Sequence, residues 1–198
     1  MALLLLDVSS LIYRAYHSLS PEKFKRPSDG LSNNAVFGVA SITFKILNDI
    51  KKEYGSVYPI ACFDSPTCNT ERQKEQTEYK ANRPKCPESL SHQFKWIREL
   101  FAAMKIACVE IKGYEADDII GTLAYSIGAG EAEVFLVTPD KDFMQLVNDY
   151  VCMLKPNNKN GGFDRVDEDG VKEYFGVYPN QVIDVLALLG DASDNIPG

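Results

Sequence analysis

Cysteine and histidine are scarce and scattered in this sequence of 198 residues, which contains five cysteines, no Cys-x-x-Cys pair and two histidines. An odd number of dispersed cysteines argues against a disulfide framework, and two distant histidines argue against a zinc site built from cysteine and histidine. Free thiols suit a reducing compartment. We therefore predict a cytoplasmic protein.

Several well-known catalytic motifs are also missing. A Walker A loop, a serine nucleophile elbow and a Rossmann glycine fingerprint are absent, so nucleotide hydrolysis, acyl transfer and NAD chemistry have no sequence support. The apolar start, residues 2–6, meets Asp7 too early to form a secretory signal or a membrane span. We predict that it is a buried strand and that the chain has no membrane partner.

The chain does contain enough apolar residues for a core, since 45% are hydrophobic and 25% are charged. This composition excludes collagen, coiled coil and disorder. Short apolar runs alternate with helical patterns, and each run predicts a strand covered on both faces. The alternation predicts an α/β fold, a mostly parallel twisted sheet with helices on both faces. The predicted strands are residues 3–6, 60–63, 106–111 and 134–137, and the predicted helices are residues 9–17, 35–52, 88–105, 115–127, 168–175 and 181–189.

Two segments and one helix have distinctive patterns. Residues 66–87 are polar and rich in both charges, which predicts a loop or helix standing off the body beyond a strand end. Residues 156–162 are rich in Asn and Gly, which predicts a turn. Helix 88–105 has one apolar stripe, formed by Leu90, Phe94, Ile97, Phe101 and Met104.

Carboxylates follow three of the predicted strands, as Asp7, Asp64 and Asp140. Because ligands of open parallel α/β sheets bind beyond the carboxyl ends of the strands, we expect these side chains to meet at one edge. Glu115 and Asp118 are three residues apart on one predicted helix face, and the helix N-terminus partly compensates their charge. The nine candidate metal ligands are Asp7, Asp64, Glu115, Asp117, Asp118, Asp140, Asp142, Asp191 and Asp194.

So many carboxylates cannot all stay ionised close together unless cations share the site. Oxygen ligands select Mg²⁺ or Mn²⁺, and two such ions about 4 Å apart are a known solution for phosphodiester hydrolysis. The formal charge of −7 is consistent with this site, because the 21 basic residues face only 19 acidic ones once these nine of the 28 are set aside. A single carboxylate at a strand end is more often a helix cap or a turn residue, but four clusters in one chain favour a metal site.

The sequence resembles the 5′ nuclease domain found at the N-terminus of bacterial DNA polymerase I, in the flap endonuclease family. The resemblance implies a PIN-like fold and metal-dependent cleavage of DNA at free 5′ ends, flaps and nicks in replication and repair. It spans essentially the whole chain in the family's order. The matching segments are Leu6-Asp7 with residues 11–17, then residues 63–64, 79–84, 113–118, 140–142 and 190–198.

The resemblance also implies ligand sets for two ions. The first set is Asp7, Asp64, Glu115 and Asp117. The second is Asp117, Asp140, Asp142 and Asp191, with Asp118 and Asp194 as further or water-mediated partners.

The polar segment 66–87 resembles the family's arch, beneath or through which the single-stranded 5′ end passes. Lys80 and Arg83 resemble its catalytic contacts to the scissile phosphate, and a point charge and a planar fork suit that task. Arg72 resembles a further phosphate contact. Tyr79 could stack on an unpaired base or pack at the base of the arch, and Arg14 could bind a phosphate or bridge to a carboxylate.

We expect a PIN-like core over residues 1–189 and the start of a helical hairpin at residues 190–198. In the family that hairpin holds duplex phosphates and a monovalent cation, so the resemblance implies a truncated chain without the cation site and with reduced duplex affinity. A DNA substrate, a monomeric state and an origin in a longer DNA polymerase I chain are the other expectations.

Some details depart from the family or stay open. Glu71 stands where the family usually has an aromatic residue, and Cys68 and Cys86 flank the segment without an assigned role. Asn34 lies in a stretch, residues 30–38, that resembles a family loop near the DNA, but a helix cap at Asn33 or Asn34 explains it as well.

Two other functions compete with the nuclease. A phosphatase of the haloacid dehalogenase type would need a second Asp two residues after Asp7, where this chain has Ser9. A DNA-binding module without catalysis is the alternative from a different class, because the chain ends before the duplex-binding hairpin.

Overall fold

A six-stranded, mostly parallel sheet is the centre of the molecule. The structure is a computed structural model that describes residues 1–65, 86–128, 130, 132–157, 162–191, 196 and 198. The strands are β1 (Ala2–Asp7), β2 (Val57–Phe63), β3 (Ala107–Glu110), β4 (Glu133–Val137), β5 (Val151–Pro156) and β6 (Phe163–Val166). Their order is β3-β2-β1-β4-β5-β6, and only β6 pairs in the antiparallel sense.

Helices connect the strands. Within the described ranges they are α1 (Val8–Ser18), α2 (Asn34–Tyr54), α3 (Glu88–Ala103), α4 (Ala116–Ile127), α5 (Glu168–Phe175) and α6 (Val182–Leu189). Three short 3₁₀ turns, Pro21–Phe24, Lys141–Leu146 and Pro179–Gln181, complete the connections. No helix in these ranges is long and apolar enough to cross a bilayer.

The sheet is covered on both faces, as predicted. Successive side chains of a strand point to opposite faces. Accordingly, Leu4 and Leu6 of β1 pack with α1, α2 and α3, whereas Leu3 and Leu5 pack with α4. The predicted α/β class with helices on both faces is therefore confirmed.

The apolar stripe of α3 is also confirmed. Leu90, Ile97 and Phe101 are buried in the first core, and Phe94 and Met104 pack against it. The helix ends at Ala103 rather than at residue 105.

Strand β3 departs from the prediction of burial on both faces. Ala107, Cys108 and Glu110 are exposed, and Val109 is half-buried. The reason is its position, because β3 is an edge strand that pairs only with β2. A local apolar run does not reveal whether a strand is central or at the edge.

The predicted helix cap at Asn33 or Asn34 is wrong in its chemistry. Asn33 holds the N-cap position of α2 without a side-chain capping bond. The buried amide of Asn34 instead donates to the carbonyls of Tyr16 (3.0 Å) and Leu19 (2.8 Å). Gln93 of α3 caps α2 from outside, because its Oε1 accepts from the N–H groups of Ala35 (2.9 Å) and Val36 (3.3 Å).

Four cysteines fall within the described residues and all are free thiols: Cys62, Cys86, Cys108 and Cys152. Cys68 and Glu71 lie outside the described residues, as does most of the predicted arch.

Candidate active site

Asp7 ends the central strand and begins the first helix. Its Oδ1 accepts from Ser10 N–H (3.1 Å) as the N-cap of α1. The residue is only 4% exposed. Burial raises the pKa of its carboxyl group, and the neighbouring charge of Asp64 raises it further, although hydrogen bonds from Ser10 and Thr138 oppose the rise. A bound cation would relieve this cost.

Thr138 links Asp7 to the next strand. Its hydroxyl donates to Asp7 Oδ2 (2.8 Å) and accepts from Asp140 N–H (3.2 Å). The chain runs from β1 outward to β2 and β3, then returns to β4 on the other side of β1. Such a reversal of strand order opens the ligand-binding crevice of this kind of sheet. Asp7 and Asp140 therefore lie where the topology favours a site.

Asp64 connects β2 to the start of α4. Its Oδ1 accepts from Ala116 N–H (2.8 Å), and its Oδ2 accepts a hydrogen bond from the Ser9 hydroxyl. The next residue ties the same two segments, because Ser65 N–H donates to the Tyr114 carbonyl (3.2 Å). The loop before α4 is thereby fixed against the carboxyl end of β2.

Glu115 and Asp118 form a capping box rather than a pair on one helix face. Glu115 is the N-cap of α4, its side chain accepts from the Asp118 backbone, and Asp118 Oδ2 accepts from Glu115 N–H (3.0 Å). The positive helix end compensates both charges, as expected. Glu115 is 6% exposed.

A cleft of about 580 Å³ lies beside these residues, between α4, the Lys141–Leu146 turn and α6. Five of the nine predicted ligands line it, and we call it the carboxylate cleft. They are Asp117, Asp118, Asp140, Asp142 and Asp191. Asp140 caps the 3₁₀ turn, because its Oδ1 accepts from Asp142 N–H (2.9 Å). The two carboxylates are thus held on one tight turn.

The donor chemistry fits a hard divalent cation, since the candidate ligands supply only oxygen and one buried carboxyl has a raised pKa. The side chains, however, are not all arranged as the ligands of one ion. Within the described residues, no three or more His, Cys, Asp or Glu side chains are grouped so that they could hold one ion. Asp64 and Asp140 instead accept hydrogen bonds from backbone N–H groups, those of Ala116 and Asp142 respectively.

Several predicted site residues lie outside the described residues: Asp194, Arg72, Tyr79, Lys80 and Arg83. Arg14 is half-buried on α1, and it forms no ion pair with any carboxylate that the structure describes. Both predicted alternatives for Arg14, a contact to phosphate and a bridge to a carboxylate, stay predictions.

Two polar residues that orient the carboxylates, Thr138 and Ser9, were not among the predicted site residues. Thr138 is fully buried directly after an apolar strand, which is an unusual place for a hydroxyl and could have indicated its role. Ser9 is a common residue in a first helical turn, so its sequence position carries no such signal.

Comparison with known proteins identifies the family. The family model described as the 5′-3′ exonuclease N-terminal, resolvase-like domain matches residues 2–176. A model that covers so much of the chain is decisive. The chain belongs to the 5′-3′ exonuclease N-terminal domain family.

Curated relatives agree with this assignment. DNA polymerase I of Pseudomonas aeruginosa is 41% identical over 196 residues, 99% of this chain and 20% of that protein. DNA polymerase I of Caldicellulosiruptor bescii is 37% identical over 203 residues, all of this chain and 23% of that protein. The 5′-3′ exonuclease of Aquifex aeolicus is 38% identical over 197 residues, 99% of this chain and 64% of that protein. The chain thus spans under a quarter of these polymerases and 64% of the exonuclease.

Solved structures support the fold. The T5 D15 protein, crystallised with metal ions, matches with a TM-score of 0.74 and 24% identity, covering all of this chain and 70% of that one. A T5 flap endonuclease complex with DNA and metal ions matches with a TM-score of 0.71 and 23% identity over the same shares. The predicted PIN-like, 5′ nuclease architecture is confirmed.

Proposed function

We propose that this chain is a metal-dependent 5′-3′ exonuclease and flap endonuclease. Its substrate would be DNA with a free 5′ end, a flap or a nick, and its setting would be replication and repair in the cytoplasm. It would act as a monomer, alone or as part of a longer DNA polymerase I chain. The observation that carries the proposal is the position of Asp7, Asp64 and Asp140 beyond the carboxyl ends of β1, β2 and β4, with Thr138 bonded to both Asp7 and Asp140, in a chain of the exonuclease family.

Two Mg²⁺ or Mn²⁺ ions are the proposed cofactors. Asp7, Asp64, Glu115 and Asp117 would hold the first ion. The ligands of the second would be Asp117, Asp140, Asp142 and Asp191, with Asp118 and Asp194 as further partners. When bound, the ions would lower the pKa of the attacking water and stabilise the attacking and leaving oxygens.

The protein's own contribution is orientation and charge. Ser10 N–H and Thr138 hold both oxygens of Asp7 in a buried position. The N-terminus of α4 faces Asp64 through Ala116 N–H, which limits the repulsion between neighbouring carboxylates. Lys80 and Arg83 would bind the scissile phosphate, and their positive charge would stabilise the transition state.

The test is cleavage of a labelled 5′ flap in Mg²⁺, with Asp140→Asn as the site variant and Asp49→Asn as the matched control. Asp49 is an exposed carboxylate on α2 paired with Lys45, so its substitution should leave the rate unchanged. We expect release of 5′-phosphorylated fragments, abolished by Asp140→Asn and by excess chelator. Cleavage that persists in both would contradict the proposal. DNA binding in Ca²⁺ without any cleavage in Mg²⁺ would favour a non-catalytic binding module instead.

A further inference from the structure

A second cleft adjoins the carboxylate cleft. Its volume is about 810 Å³, and its polar and aromatic lining consists of Tyr125, Gln145, Asn148, Glu168, Tyr178 and Asn180. We call it the tyrosine cleft. Gln145 and Leu146 line both clefts, so the two clefts are neighbours on the surface.

Helix α4 contributes residues to both clefts. Asp118 and Thr122 line the carboxylate cleft, and Tyr125 and Gly128 line the tyrosine cleft. Seven residues of α-helix separate Asp118 from Tyr125, which is about 10 Å along the axis at 1.5 Å per residue. The tyrosine cleft is therefore close enough to share a ligand with the carboxylates.

The two tyrosines offer ring surface to a ligand. Tyr125 is 84% exposed, so most of its ring is accessible to a ligand. Tyr178 is held in place, because its hydroxyl accepts from Lys172 Nζ (3.1 Å) and the same ammonium lies 4.7 Å from its ring centroid. One tyrosine is thus fixed, and the other projects into solvent.

The charge and the hydrogen-bonding groups of the lining residues suit a nucleobase better than a phosphate. The described residues that line the cleft include no Lys or Arg, and Glu168 adds a negative charge. The nearby Lys172 ammonium is already engaged by the hydroxyl and ring of Tyr178. Asn148, Asn180 and Gln145 supply amides, which can donate to and accept from the polar edge of a base. Aromatic rings stack on bases of any sequence. A cleft of this volume is within the usual range for small ligands, which suits a single nucleoside better than a duplex.

We propose that the tyrosine cleft binds an unpaired nucleobase of the DNA strand being cut, a short distance along that strand from the scissile phosphate. This inference rests on the proposed function, because it takes the occupant to be part of the substrate. The cleft would add affinity for single-stranded DNA next to the cleavage site without contributing to the chemical step.

The test is an abasic scan combined with tyrosine variants. Binding of a labelled 5′ flap is measured by fluorescence anisotropy in Ca²⁺, with one abasic site moved nucleotide by nucleotide through the unpaired strand. The proteins are the wild type, Tyr125→Ala, Tyr178→Phe and the control Tyr58→Ala. Tyr58 lies on β2 outside both clefts and is 55% exposed.

We expect one abasic position to weaken wild-type binding about 5- to 10-fold, a stacking effect of ordinary size. Tyr125→Ala should cause a similar loss on the intact flap and no further loss at that position, whereas Tyr58→Ala should behave as the wild type. Tyr178→Phe should bind normally because it keeps the ring. If Tyr125→Ala binds the intact flap as the wild type does, or shows the same abasic effect, the proposal is overturned.

A parallel cleavage assay in Mg²⁺ separates this inference from the proposed function. Wild-type cleavage with a flat abasic scan would overturn only the tyrosine cleft. Absence of wild-type cleavage would remove the nuclease function, and the anisotropy titrations would still decide whether the cleft binds a base.

Discussion

Asp7 and Glu115 are the most buried of the described candidate ligands, with 4% and 6% exposure. A buried carboxylate without a counter-charge destabilises a fold, whereas the same carboxylate binds a cation tightly because water does not compete. We therefore expect a trade-off at Asp7: its buried carboxylate lowers the stability of the metal-free protein and raises the affinity for metal.

Asp7→Asn should raise the thermal midpoint of the metal-free protein at pH 7. The raised pKa of Asp7 means that the folded state binds its proton more tightly than the unfolded state does. Protonated Asp7 therefore contributes its full stability below the ordinary pKa of 3.8, and this contribution is lost as the pH rises through the higher pKa of the folded state. We expect a gain of a few degrees at pH 7, where about 1 kcal/mol corresponds to about 2–4 °C.

The measurement is a series of calorimetric scans in chelator between pH 4 and pH 7. The difference between variant and wild type should shrink as the pH falls, and the variant should have lost cleavage activity. A variant that is less stable than the wild type at pH 7 would show that the charge on Asp7 is already compensated within the protein.

Thr138→Val removes a hydroxyl and keeps the shape of the side chain. The hydroxyl bonds to both Asp7 and Asp140, so its loss should loosen two candidate ligands at once. Residues that orient metal ligands typically contribute 10- to 100-fold to activity or metal affinity. We expect a decrease of that size in flap cleavage rate, with most activity retained in Thr138→Ser. Equal rates for Thr138→Val and the wild type would show that Thr138 does not orient the site.

At the scale of elements, helix α2 depends on a neighbouring helix for its N-terminal cap. The buried amide of Gln93 accepts from Ala35 and Val36 and donates to Asn34 Oδ1 (3.0 Å) and the Ser89 carbonyl (2.9 Å). Three of these hydrogen bonds join α2 to α3, and the fourth, to Ser89, stays within α3. The same contacts fix the first turns of α3, which begins at Glu88.

Gln93→Leu should destabilise the protein by about 2–3 kcal/mol, because it leaves buried polar groups without partners. Asn33→Ala is the matched control. Asn33 occupies the position where sequence rules place the cap but makes no capping bond, so its substitution should cost less than about 0.5 kcal/mol. Urea unfolding measures both. A larger cost for Asn33→Ala than for Gln93→Leu would contradict the assignment of the cap.

At the scale of the whole molecule, most of the fold could be predicted from the sequence. Continuous apolar runs and helical periodicity give the type and approximate limits of the elements, since both patterns are local. The order of strands is not a local property. The sequence therefore could not indicate that β3 lies at the edge, or that the reversal of order falls between β1 and β4.

The candidate site, too, could be predicted only in part from the sequence. Carboxylates at strand ends could be predicted, because the carboxyl ends of parallel strands share one edge. The supporting contacts could not, because Thr138 reaches Asp7 across 131 positions of sequence and Gln93 reaches Asn34 across 59. Such pairs exist only once the sheet and helices have packed.

Binding of Mn²⁺, followed by electron paramagnetic resonance, tests most directly whether these carboxylates form a site for two ions. The account predicts about two Mn²⁺ per wild-type chain, loss of one ion in Asp64→Asn, loss of the other in Asp142→Asn, and no change in Asp49→Asn. Unchanged Mn²⁺ binding in both site variants would contradict it.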